Sequence, residues 1–176
     1  MRAATEFYRE LESALPTSTA QQRKAWAITI LKNNISIKSL AGLLKCEQKT
    51  VIRFLWMLSD IGILSPTKLF IELPFLLNAC NEQDQIYKTS FASYWLYAGV
   101  PPVNEGEAID LLFQWLLSPN TNVTVKARSF LVLFNLTRKY PELKSELAFC
   151  LKDQMDKHTS DFKKRAAKIL KQIEQR

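Results

Sequence analysis

Glycine is scarce in this chain, with four in 176 residues beside seven prolines. An all-β protein of this size needs a turn every few residues, and the residues that make such turns are missing. Histidine is scarcer still: His158 is the only one, placed between Lys157 and Thr159 in a polar stretch that reads as a solvent-exposed turn. One imidazole with no nucleophile beside it excludes Ser-His and Cys-His catalysis, and no Gly-rich phosphate loop is present. The three cysteines, Cys46, Cys80 and Cys150, are far apart and odd in number. They form neither a paired zinc site nor a disulfide framework, and read as buried thiols of a reducing cytoplasm. No uncharged run reaches the ~20 apolar residues of a membrane span. The longest, Thr89 to Asn104, is broken by Pro101 and Pro102, and Met1 to Leu15 is amphipathic rather than a secretory signal. The expectation is no catalytic residue set, no metal, no cofactor and no membrane contact.

Apolar residues are present in quantity, at 47% of the chain. A single domain of this length buries about 70% of its unfolded surface, so a packed core is within reach. The net charge is +7 and unevenly placed. Residues 1–60 carry nine basic and five acidic side chains, 61–151 seven and eight, and 152–176 eight and four. The basic excess sits at the two ends, and only a clustered excess points to a polyanion.

The chain also repeats itself. Gln48–Ile61, Asp84–Gly99, Asn122–Leu136 and Asp161–Ile173 align so that Leu58, Leu96, Leu133 and Leu170 coincide, at separations of 38, 37 and 37 residues. Arg53, Phe91, Arg128 and Arg165 recur in the same register. Each segment opens on a residue able to cap or polarise a helix start, Gln48 weakly and Asp84, Asn122 and Asp161 well. Each follows another apolar helical run: Ser36–Lys45, Pro66–Cys80, Glu105–Leu117 or Pro141–Met155. Thr5–Ala14 and Ala20–Lys32 make an earlier pair. In the last segment Phe162, Ala166, Ile169, Leu170 and Ile173 form one stripe, with Lys163, Lys164, Arg165 and Lys168 on the remainder, as befits the end of a stack. Phe130 to Phe134 are apolar all round and suit an interior helix. Pro74, inside Pro66–Cys80, removes one backbone bond and is expected to kink its helix.

The runs LFIELPFLLNA (Leu69–Ala79), SPNTNVTVKARSFLVL (Ser118–Leu133) and DFKKRAAKIL (Asp161–Leu170) resemble the HEAT-repeat pattern. The chain is similar to small bacterial HEAT-like helical-repeat proteins, most strongly from Ser118 onward. That resemblance implies an all-α fold, a right-handed α-solenoid of HEAT-like or armadillo type, in one domain over 1–176. Its five hairpins would cover approximately 5–33, 36–61, 66–99, 105–138 and 141–175. The function it implies is a non-enzymatic interaction module binding a protein or peptide.

Nucleic acid is the alternative partner. Arg23 and Lys24, Lys49 and Arg53, Lys126 and Arg128, and Lys163 and Lys164 recur at similar places in successive second helices, where they would contact phosphates. The enzymatic extreme of that reading resembles the HEAT-like glycosylases for alkylated bases, with Asp110, Trp95, Trp115 and Tyr97 as available residue types. Ser39–Leu64 also resembles a helix-turn-helix, with Gln48, Lys49, Thr50 and Arg53 facing the groove and Val51, Leu55 and Leu58 facing inward. Tyr94 and Tyr97 are expected as an exposed, partner-binding pair, and most of the remaining aromatics, Trp56 among them, as core. Glu72 is expected to point outward, and Glu105, Glu107 and Asp110 to complement a helix dipole.

Overall fold

Helices answer the shortage of turn residues: in the computed structural model no strand occurs among the described residues, 2–80 and 86–175, whose side chains are described from 5 to 80 and from 87 to 175. The fold is all-α. The chain divides into two compact units, Met1–Val103 and Asn104–Arg176.

In the first unit α1 (Arg2–Ala14) leads through a short 3₁₀ turn to α2 (Ala20–Lys32). A capping box starts α2: the Thr19 hydroxyl accepts from the Gln22 N–H, while the Gln22 side chain accepts from the Thr19 N–H at 2.8 Å. The helix ends in a Schellman turn, with Asn34 at φ 48° and the Ile35 N–H donating to the Ile30 carbonyl at 2.9 Å. The run expected as a helix at Ser36–Lys45 is instead a 3₁₀ segment, Ile37–Lys45. Its threefold repeat explains the difference, because Ile37, Leu40 and Leu43 align on one edge at three residues per turn and all are buried. Gly42 lies so close to the Tyr8 hydroxyl that a Cβ there would stand 2.6 Å away, which lets α1 dock on this segment.

α3 (Gln48–Leu64) is the centre of the unit and packs against α2, α4 (Pro66–Cys80), α5 (Ile86–Ala98) and the 3₁₀ segment. Gly62 permits the α3–α4 approach, since a Cβ would meet Leu69 Cδ2 at 2.6 Å. α4 stays one helix across Pro74. Phe91 anchors α5, its ring edge-to-face with Tyr87, Tyr94 and Trp95 at 5.9, 5.3 and 5.4 Å.

The second unit holds α6 (Glu105–Leu117), α7 (Val123–Leu136), α8 (Leu143–Met155) and α9 (Ser160–Glu174). α6 packs on α7, α8 on α9, and α7 on both α8 and α9. This sandwiching suits the apolar girth of Phe130–Phe134, and Phe130 meets Phe162 of α9 edge-to-face at 5.3 Å.

The repeat leucines Leu58, Leu133 and Leu170 are buried, while Leu96 is half-buried beside a buried Trp95. Asn122 caps α7 as expected, accepting from the Thr124 N–H at 2.8 Å. The cap of α9 is Thr159 rather than Asp161, the residue before α3 is Glu47 rather than Gln48, and Asp84 lies outside the described residues.

Candidate functional site

Four of the expected basic residues, Arg23, Lys24, Lys49 and Arg53, fall in the first unit on the neighbouring helices α2 and α3. Arg23 is the buried one, 7% exposed. Its Nη1 turns back to the start of its own helix and donates to the Ser18 carbonyl at 2.8 Å and the Ser18 hydroxyl at 3.3 Å. Its Nε is buried with no hydrogen-bond partner. The guanidinium carbon stands 5.3 Å from the centre of the Trp56 ring, and that of Arg53 stands 4.9 Å from the same ring. Both distances allow cation–π attraction. Burial, and then the Arg53 charge, hold the Arg23 guanidinium below its ordinary range, with Asp60 opposing. Asp60 is itself pushed up by burial and pulled down by Arg23 and Lys24.

Trp56 is 45% exposed, which corrects its expected place in the core. The signal lay in the helical register. Val51, Leu55 and Leu58 face inward and are buried, whereas Trp56 lies two turns after Lys49 and one after Arg53, on the charged side of the same helix. Two turns further along that line comes Ile63, 62% exposed. One face of α3 thus runs from cationic at its start through an aromatic centre to an aliphatic end. Thr50, expected in a DNA groove, is buried instead.

Tyr94 is corrected in the opposite sense. It is fully buried, and its hydroxyl donates to the Leu55 carbonyl of α3 at 2.5 Å, so it ties α5 to α3 instead of meeting a partner. Desolvation drives the pKa of the phenol far above the usual range, with side-chain hydrogen bonds to Ser90 and Ser59 opposing. Tyr97 is 43% exposed, as expected.

In the second unit Lys126 is corrected from a phosphate contact to a buried group, 1% exposed, whose Nζ donates to Gln154 Oε1 at 2.9 Å. His158 Nε2 lies 3.1 Å from the same oxygen, and its ring packs on Phe162, so the histidine is half-buried rather than free in solvent. Arg128 is half-buried, and Lys163 and Lys164 are exposed. Lys163 pairs with Asp156 at 2.6 Å. Glu105 does more than complement a dipole: it is buried and bound by Lys139 and Tyr140, each at 2.5 Å, which hold its carboxyl below the usual range.

Glu72 is buried rather than outward, with Oε2 lacking a hydrogen-bond partner. Asp110 is exposed on α6 and Trp115 is fully buried. A cleft of about 250 Å³ in the second unit is lined by Phe134, Thr137, Arg138, Lys144 and Ile173 among others, with no carboxylate, cysteine or histidine in its wall. Among the described residues no group of histidine, cysteine and carboxylate side chains is arranged to hold a metal ion. No described helix is long and apolar enough to cross a membrane. Comparison with protein-family models, with curated proteins and with solved structures finds no match to this chain.

Proposed function

We propose that the chain is a non-enzymatic interaction module that binds a protein or peptide, with the α3 face around Trp56 as its contact surface. The observation that carries this reading is the half-exposed tryptophan whose ring two arginine guanidiniums approach. Tryptophan and arginine supply most of the binding energy where proteins meet, because each removes a large surface from water while keeping a directional polar group. The ring gains little for the fold, since nearly half of it faces solvent, so its placement is best explained by contact with another molecule.

The helices that carry this face are read as HEAT-like hairpins of armadillo type. Support comes from the packing order within each unit: α2, α3 and α5 adjoin in a row through α3, and α7 adjoins α9. The three cysteines are free, which fits the reducing cytoplasm expected for such a module.

A photo-crosslinking residue placed at the exposed position 49, two turns from Trp56 on the same face of α3, tests the reading. In a native extract it should give a discrete protein adduct that unlabelled parent chain competes away and Trp56→Ala chain does not. An adduct to nucleic acid would instead favour the alternative partner, since an aromatic ring flanked by arginines also stacks on single-stranded bases. No adduct would remove the module reading.

A further inference from the structure

The cations of the α2–α3 face form no ion pair of their own. None of Arg23, Lys24, Lys49 and Arg53 has a carboxylate within ion-pair distance, while all five ion pairs found among the described residues lie in Asn104–Arg176. Arg23 is nine-tenths buried with Nε unused, and its nearest charged influences are Arg53, which repels it, and Asp60, which is too far to pair. A mostly buried guanidinium facing a second one is electrostatically incomplete, and an incoming carboxylate relieves both.

We infer that this face takes an acidic, amphipathic peptide segment of a partner protein, its carboxylates at Arg23, Lys24 and Arg53 and its apolar side chains on Trp56 and Ile63. The inference rests on the module reading and adds the chemistry of the partner. One feature favours such a segment over a nucleic-acid strand. Beyond Trp56 the same helix face turns aliphatic, with Ile63 and Leu64 exposed, and a strand of nucleotides offers nothing to bury there. A peptide with acidic residues next to leucines matches both ends of the face.

Fluorescence anisotropy of a labelled synthetic peptide of repeating Glu-Glu-Leu-Leu, titrated with the full chain, reads this out. Peptides of Gln-Gln-Leu-Leu and Glu-Glu-Ser-Ser and a labelled thymidine oligonucleotide are run beside it. The acidic leucine peptide should bind about 10-fold tighter than either control peptide, and weaken as salt rises from ~50 to ~200 mM. Arg53→Glu and Lys24→Glu, both at accessible positions, should each weaken it by about 10-fold or more with unchanged circular dichroism. Equal binding of the glutamine peptide, indifference to both reversals, or tighter binding of the oligonucleotide would overturn the inference. If the acidic peptide fails while the protein adduct at position 49 persists, the acidic chemistry is wrong and the module reading stands. Loss of both removes both.

Discussion

In Asn104–Arg176 cations meet carboxylates of their own unit: Lys139 binds Glu105, Lys157 binds Asp153, Lys163 binds Asp156 and Arg165 binds Asp161. In Met1–Val103 Arg23 of α2 and Arg53 of α3 meet an aromatic ring instead, and that ring is half open to solvent. Both units carry a similar basic surplus in sequence, so composition alone does not separate them. The separation comes from where acids fall relative to helix turns. Asp161 and Arg165 are one turn apart on α9, Asp153 and Lys157 are four residues apart across the end of α8, and both pairs form locally. α3 has no acid one turn from Lys49 or Arg53 on the exposed side. A charge satisfied within the unit contributes to the fold, and one left unsatisfied is available to a partner.

The two tryptophans Trp115 and Trp56 give the largest contrast. Trp115 is fully buried in α6, and Trp115→Ala should cost about 3–5 kcal/mol of unfolding free energy in a denaturant titration. A loss below ~1 kcal/mol would show that the second unit tolerates a void where its core is drawn.

Lys126 comes next. Its ammonium is buried on a single neutral acceptor, and desolvation, with Lys157 adding to it, holds its pKa down. Exchanging it for a neutral chain of similar length removes a desolvated charge while Gln154 keeps its contact to His158. Lys126→Met should leave stability unchanged or raise it by ~1–2 kcal/mol. A loss of that size in thermal unfolding would mean the ammonium is better satisfied than its one bond suggests.

His158 makes the second unit sensitive to acid. Burial, then the Lys126 and Lys157 charges, hold its imidazole below the ordinary range. The unfolded chain therefore takes up the proton first as pH falls through about 6.5, and stability is lost from there down to the lower folded value. Unfolding free energy should fall between pH ~7.5 and ~5.5 in the parent, and fall less in His158→Gln. Equal slopes in the two proteins would contradict this.

The smallest effect belongs to the exposed pairs. Lys163→Ala breaks the contact to Asp156 and should change stability by less than ~0.5 kcal/mol, because both partners stay hydrated. A larger loss would mean that the surface pairs of the second unit act as a network.

Much of this was readable beforehand, and the misses have a common cause. Helical periodicity placed α2 to α9 nearly throughout, and Leu58, Leu133 and Leu170 are buried where the repeat put them. Periodicity reports which side of a helix is apolar, so it succeeds wherever the face is decided by many residues. Tyr94 and Trp56 take the reverse of their expected places, because tertiary contacts decide both. The deciding contacts, Leu55 across from Tyr94 and Arg23 across from Trp56, come from other helices. Arg23 was visible only as a charge, because its burial depends on the chain folding back at Ser18. The 3₁₀ segment had a local signature in Ile37, Leu40 and Leu43 that a search for the α period overlooks.

The proposal that Trp56 serves a partner rather than the fold is tested most directly by measuring, on one Trp56→Ala sample, unfolding free energy and competition for the protein adduct formed at position 49. Stability should stay within about 1 kcal/mol of the parent, as for a residue outside the core, with competition lost. A stability loss as deep as that of Trp115→Ala, with competition intact, would show that the ring belongs to the fold and that the contact surface lies elsewhere.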